Sequence, residues 1–297
     1  LSSNQALQKV RHLFEASKAG HTGSLDPLAT GLLPVCFGEA TKIAGYLLGS
    51  RKAYAAECRL GVTTTTDDAE GEVVTTRPVP ALSDAQIEIA LATLRGRIVQ
   101  TPPAYSAIKQ GGVALYKRVR RGEDVQVPAR EVEIHQLDLL AHAGETLRLH
   151  VECGSGTYVR SLVRDLGESL GCGAHLTALR RLWVEPFREP VVHALTELER
   201  VRQDSGLPGL DALLLPLETG LVGLPELRVS AEQALQLQQG KRWVQNALVN
   251  QPLCRALAPD GSLVALVEID ACGEVRVRRG FNLSAPKPTL LPGNGLQ

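Results

Sequence analysis

Apolar residues recur at Leu7, Val10 and Phe14, the spacing of one helix face, and Ser3 is placed to cap that helix. The pattern breaks over residues 20–31, where Gly20, Gly23, Gly31 and Pro27 predict a shaped loop. A helix is expected over residues 40–48, stopped by Gly49. Alternation predicts strands over residues 54–60, 72–76 and 97–100, the last closed by Thr101-Pro102-Pro103, and longer strands over 131–140 and 146–153. Ser83 and Gln86 form a capping box for a helix ending near Gly96. Gly154-Ser155-Gly156 turns into a helix over residues 157–170, with Leu162, Val163 and Leu166 on one face and Gly171 and Gly173 at its end. Residues 104–130 are less regular, and Pro- and Gly-rich stretches at 186–190 and 206–225 interrupt the chain. Beyond them, Ser230 and Gln233 form another capping box, before a short helix ending at Gly240. Strands over 253–258, 263–269 and 274–278, joined by turns at Asp260-Gly261 and Cys272-Gly273, suit a small β-rich module. The expected division is residues 1–225 and 226–297.

Composition changes this picture little. The 297 residues are 44% hydrophobic, enough for two domains with their own cores. Lys and Arg total 32, as do Asp and Glu, so any nucleic-acid binding must come from local clusters rather than from net charge. The six cysteines show no CxxC pair and no zinc-module spacing, which predicts buried free thiols in a reducing cytosol. No apolar run reaches the roughly 18 residues of a membrane span, and no signal peptide opens the sequence.

Several segments carry candidate chemistry. Asp26 lies between Leu25 and Pro27 in the glycine-framed loop, where the backbone can bring a carboxylate close to a ligand. An Asp-Pro pair is also a common helix start. The loop lacks Gly-Lys-Ser/Thr and is not a phosphate-binding P-loop. Tyr54 opens a strand and could stack on an unpaired base or pack in the core. Gly156-Thr157-Tyr158-Val159-Arg160 sets Tyr and Arg at a helix start, a position where the helix dipole disfavours a cation, so a nearby carboxylate partner is expected for Arg160. His21 has no second ligand at metal spacing and reads as a polar wedge or a loop-ordering hydrogen-bond former. Asp67, Glu70 and Glu72 fail the calcium-loop spacing and read as a solvated acidic turn. Lys109, Lys117, Arg118, Arg120, Arg121 and Arg130, interleaved with Tyr105 and Tyr116, suit an arm for a phosphate backbone as well as a plain solvated helix. Arg180 and Arg181 add a second small basic cluster.

Gly20-His21-Thr22-Gly23-Ser24-Leu25-Asp26-Pro27-Leu28-Ala29-Thr30-Gly31 resembles the signature of the TruB-type tRNA pseudouridine synthases. The resemblance continues in family order through Gly38-Glu39-Ala40-Thr41-Lys42, Tyr54 before Arg59-Leu60-Gly61, Thr65-Thr66-Asp67-Asp68-Ala69-Glu70-Gly71 and Tyr105-Ser106-Ala107-Ile108-Lys109. It ends with Gly156-Thr157-Tyr158-Val159-Arg160, then Gly171-Cys172-Gly173-Ala174-His175-Leu176 with Leu179-Arg180-Arg181. A Lys-Pro segment usual in the family ahead of the position of Leu1 is not in this sequence, and the part after residue 225 matches only loosely. The resemblance implies an α/β (α+β) fold: a mixed, largely antiparallel sheet flanked by helices, then a small PUA-like β-rich domain over residues 226–297. It implies isomerisation of uridine 55 in the T arm of tRNA to pseudouridine, with no cofactor, no metal, no membrane and no obligate protein partner. By resemblance Asp26 is the essential carboxylate, Tyr54 stacks on the flipped uracil, Tyr158 is the candidate base, and Arg160 pairs with Asp26. Leu179 lines the pocket, His21 supports the everted loop, and Asp68 belongs to the polar shell. Residues 104–130, with Lys109, Lys117, Arg118 and Arg121, form the family's RNA-binding thumb. Two other classes stay open on the residues alone: a non-catalytic RNA-binding protein using the same surface, and a glycosidase-like hydrolase using Asp26, for which a second carboxylate is not evident.

Overall fold

Six strands form the sheet that positions the site: β1 (Ala29–Gly31), β2 (Lys52–Leu60), β3 (Gly96–Gln100), β4 (Arg130–Ala143), β5 (Thr146–Cys153) and β6 (Ala174–Val184). This computed structural model describes residues 1–49, 51–245 and 251–283. The strand order is β1-β6-β2-β5-β4-β3, antiparallel throughout except for the parallel β1–β6 pair. The sheet is therefore mixed and largely antiparallel, as the resemblance implies. Alternation sends Ala56, Cys58, Leu60, Leu147, Leu149 and Val151 into one buried cluster. Helix α1 (Ser3–Leu13) packs beside the short strand Ala19–His21, while α2 (Asp84–Ala92) and α3 (Val159–Ser169) pack on this sheet. The buried face of α3 contributes Leu162, Val163 and Leu166 to that cluster, and α2 adds Ile87 and Leu91.

Some boundaries differ from the sequence reading. The cap of α1 is Ser2, whose hydroxyl accepts from the Gln5 N–H while the Gln5 side chain accepts from the Ser2 N–H. Ser3 is instead the first helical residue and is buried. The helix expected over residues 40–48 is two pieces, a 3-10 turn Gly38–Lys42 and a short helix Ala44–Leu48. The long strand β6 was not anticipated; two bulges along it break the clean alternation that would have announced it. Helix α4 (Leu195–Asp211) was also missed, because Gly206 and Pro208 read as breakers. Gly206 does interrupt it, with φ +65°, so α4 is two helical pieces joined at a kink.

The chain forms two compact units. Of the described residues, one holds those of Leu1–Cys36 and Ile43–Leu213; the other holds Phe37–Lys42 together with those from Leu214 onward. In the second unit a five-stranded sheet is built from β7 (Glu226–Arg228), β8 (Trp243–Val244), β9 (Gln251–Leu257), β10 (Leu263–Ile269) and β11 (Glu274–Gly280), in the order β7-β9-β10-β11-β8. Helix α5 (Ala231–Gln238), capped by Ser230 and Gln233, packs Ala234 and Leu237 against it. The 37–42 segment joins this unit through Lys42, whose ammonium donates to the Gly280 carbonyl at 2.9 Å, and through Glu39, which accepts from the Asn282 N–H at 2.7 Å. Among the described residues no helix is long and apolar enough to cross a membrane. Five of the cysteines are buried and only Cys272 is exposed; burial pushes the Cys58 thiol up to about 12 and the Cys36 and Cys153 thiols up to about 11.

Candidate active site

The loop carrying Asp26 is held from three sides. From α1, the Ser3 hydroxyl accepts from the Leu25 N–H at 2.8 Å and faces the Leu25 carbonyl at 3.2 Å, pinning the residue next to Asp26. Within the loop, the Ala29 N–H donates to the Asp26 carbonyl at 2.9 Å. From β6, the backbone of Arg181 accepts from the Leu32 N–H at 2.9 Å. Gly31 lies opposite Arg181 in the parallel pairing with φ +95°, and a Cβ there would sit 2.2 Å from the Arg181 carbonyl oxygen. Only glycine fits this approach. Gly31→Ala is expected to cost about 2–4 kcal/mol of stability, read as a lowered denaturant midpoint.

Arg160, at the second residue of α3, meets this loop. Its guanidinium grips Asp26 bidentately, Nε to Oδ2 at 2.8 Å and Nη2 to Oδ1 at 3.0 Å. Nη1 donates to the Thr66 carbonyl at 2.9 Å and Nη2 also to the Tyr105 carbonyl at 3.2 Å. Asp68 lies 3.5 Å from Nε, so one buried cation serves two carboxylates. The carboxylates differ in access: the Asp68 side chain is 4% exposed, that of Asp26 31%. Asp68 spends one oxygen on the Thr66 hydroxyl and the Glu70 N–H, whereas Asp26 stays partly open to solvent.

Tyr54 on β2 lies opposite Arg181 of β6, and Ala56 opposite Leu179, so Tyr54, Leu179 and Arg181 share one face of the sheet. Tyr54 is mostly buried, and that burial holds its hydroxyl up at about 12; its hydroxyl lies against the Arg181 guanidinium. Tyr158 is the N-cap residue of α3 and is only half-buried, under the Arg130 guanidinium at 5.2 Å from its ring centre. Its side chain makes no capping bond, but its N–H donates to the Gln100 side-chain oxygen at 2.8 Å. His21 ends a short strand, Ala19–His21; burial first, then the charge of Arg181, lowers its proton affinity, and its Nδ1 finds no protein partner.

The structure adds to the sequence picture at three points. Asp67 is not a solvated turn residue: it is paired with Arg164 at 2.9 Å, and burial raises its proton affinity. Arg180 and Arg181 are not one basic cluster; alternation along β6 exposes Arg180 and buries Arg181. In the arm, Lys109, Lys117 and Arg121 are exposed, but Arg118 is engaged internally, bonded to Glu123 at 2.6 Å and to the Gln110 side chain at 3.0 Å. Three contributors went unnoticed: Ser3, Gln100 and Arg164. Ser3 could have been separated from the cap, because Gln5 stands three residues after Ser2, not after Ser3. Gln100 and Arg164 carry no signal in the letters, since their partners are distant in sequence.

The same fold occurs in solved structures. An H/ACA RNP bound to a substrate RNA containing 2'-deoxyuridine superposes with a TM-score of 0.72 at 20% identity, covering 95% of this chain and 81% of that one. The archaeal box H/ACA sRNP Nop10-Cbf5 complex gives 0.71 at 21% identity, covering 94% and 82%. These establish a shared mixed-sheet fold. Residues 11–159 match the TruB family pseudouridylate synthase N-terminal domain, and residues 160–222 the tRNA pseudouridylate synthase B C-terminal domain. The tRNA pseudouridine synthase B of Xanthomonas campestris pv. campestris (strain B100) is 53% identical over 284 residues, 95% of this chain and 91% of its own length. That of Xylella fastidiosa (strain Temecula1 / ATCC 700964) is 53% identical over 95% of this chain and 93% of its own. The chain belongs to the TruB family of pseudouridine synthases, and it is an isomerase.

Proposed function

We propose that this chain converts uridine 55 in the T arm of tRNA to pseudouridine, with Asp26 as the carboxylate that acts on the nucleotide. The relatives named tRNA pseudouridine synthase B support tRNA as the substrate. The observation that carries the residue assignment is the bidentate Arg160 grip on Asp26, which fixes the direction of a carboxylate that is itself still partly open.

The target base must first leave its stack, at a cost of a few kcal/mol. Stacking on Tyr54, against Leu179, offsets that cost, as do phosphate contacts from the exposed Lys109, Lys117 and Arg121 of the thumb. The neutral His21 imidazole supports the everted loop, and Asp68 fixes Arg160 from behind. With the base seated, the C1′–N1 bond breaks, assisted by Asp26 acting at the ribose or by proton removal. The uracil turns so that C5 faces C1′ and the C5–C1′ bond forms; the Tyr158 hydroxyl takes the proton leaving C5 as it releases its own to solvent, and N1 takes one proton from solvent, so that no net proton is gained or lost. The sheet of the second unit is read as a PUA-like module that binds the same RNA, with the functional division near residue 225.

Incubation with a T-arm stem-loop, followed by nucleoside analysis, tests the reading. Pseudouridine at the position corresponding to 55, stoichiometric with RNA and at constant mass, is expected. Free uracil with an abasic site would select a hydrolase instead. Tight binding without any change would select a non-catalytic RNA-binding protein.

A further inference from the structure

Arg181 is the most deeply buried charged side chain among the described residues of the first unit, 2% exposed. Among the described residues it makes no ion pair within 4.0 Å of a carboxylate. Burial accordingly lowers its proton affinity, with only the Tyr54 hydroxyl pulling the other way. Burying a guanidinium without a counter-charge is costly, and an apolar side chain would fill the same strand position without that cost. Being buried, it has no reach to an RNA phosphate. The geometry of its bonds gives the reason for its presence. Nε donates to the Leu32 carbonyl at 2.7 Å and Nη2 to the Gly23 carbonyl at 3.2 Å. These carbonyls lie on either side of Asp26 in the chain, so a single planar group ties both ends of the loop that carries the carboxylate. The same group abuts the Tyr54 hydroxyl.

We propose that Arg181 is a positioning residue for the reaction: its guanidinium locks the Asp26 loop and Tyr54 into one rigid frame, setting the carboxylate against the plane on which the base stacks. This rests on the reading of Asp26 as the reacting group. A fork of fixed shape is required, because a lysine ammonium is a point donor on a flexible stem and does not span two carbonyls on opposite sides of a loop. Displacement of a reacting group by about 1 Å can cost about a hundredfold in rate without touching the contacts that hold the substrate. The phosphate contacts assigned to the arm lie elsewhere, so the loss falls on the chemical step and not on RNA affinity.

The test is single-turnover isomerisation of a T-arm stem-loop by Arg181→Lys and Tyr54→Phe. Dissociation constants are measured in parallel, and the RNA-binding fraction of each preparation is counted by stoichiometric titration. Arg181→Lys is expected to lose about thirtyfold or more in rate per bound RNA, with the dissociation constant within about threefold of wild type. Tyr54→Phe keeps the ring and removes only the hydroxyl that meets Arg181, and it is expected to lose about threefold or more at unchanged affinity. A purely structural Arg181 would lower the melting temperature or the binding-competent fraction while leaving the rate per bound RNA within about twofold of wild type, and that result overturns the proposal. If Arg181→Lys does not fold, Tyr54→Phe alone decides, and a wild-type rate from it overturns the proposal. A wild-type chain that makes no pseudouridine overturns the functional reading itself. An active wild type and an inactive Asp26→Asn, combined with a full-rate Arg181→Lys, remove the positioning role alone.

Discussion

Asp26→Asn is expected to lower the single-turnover rate on a T-arm stem-loop by about a thousandfold or more, while the dissociation constant stays within about tenfold. Asn has nearly the same shape, so the loop has no steric reason to move. The anchors of the loop do not use the carboxylate: Ser3 holds Leu25, and Arg181 holds Gly23 and Leu32. What changes is chemical. An amide carries no charge, is a poor nucleophile and a poor base, and turns an NH₂ towards a guanidinium that can only donate. The RNA contacts proposed for the arm do not involve this carboxylate. The melting temperature should therefore stay close to wild type while turnover vanishes, and that combination separates a catalytic carboxylate from a structural one. An Asn variant that turns over at the wild-type rate would refute the assignment.

Arg160→Lys is expected to lose roughly a hundredfold in rate and to destabilise the chain as well. The guanidinium uses its fork fully: two bonds to Asp26 and one each to the carbonyls of Thr66 and Tyr105, with Asp68 3.5 Å away. A single ammonium satisfies only part of this set. Asp68 is almost wholly buried, so removing the cation altogether, as in Arg160→Ala, leaves an uncompensated carboxylate at a cost of about 3–5 kcal/mol. The Lys variant separates the two effects, because it retains the charge and loses the geometry. Thermal melts beside single-turnover rates check this: a large rate loss with a moderate fall in melting temperature is expected, whereas a full rate would show that the fork is dispensable. Tyr105, whose carbonyl accepts from Arg160, stands at the start of the basic arm for which RNA contacts are proposed.

Local signals in the sequence were strong wherever structure is decided locally. The capping boxes at Ser83 and Ser230, the helix after Gly156 and the strands around residues 54–60 and 146–153 follow from rules spanning a few residues. The carboxylate loop could be read because glycines and proline mark an unusual backbone path. The Arg160–Asp26 pair was expected on two grounds, the family resemblance and the need of a cation at a helix N-terminus for a partner. What remained hidden depends on distance or on direction. Strand β6 carries two bulges, so its period does not look like 2, and Arg180-Arg181 looked like a surface pair until alternation placed one outside and one inside. Arg181 bonds residues about 150 positions away, which no local pattern encodes. Asp67 looked solvated because its partner, Arg164, is nearly a hundred residues on. Residues 40–42 read as part of one helix with residues 44–48, yet with 37–39 they belong to the second compact unit, an allocation set by tertiary contact alone.

The central claim is that the Asp26 carboxylate, steadied by Arg160, reaches the sugar–base unit of an everted uridine. A structure of the wild-type chain with a T-arm stem-loop measures this directly. The target base is expected against the Tyr54 ring, with an Asp26 oxygen within about 4 Å of the C1′ or C2′ region of that nucleotide. A bound RNA whose target base stays stacked in its loop, or whose everted nucleotide lies beyond about 8 Å from Asp26, would contradict it.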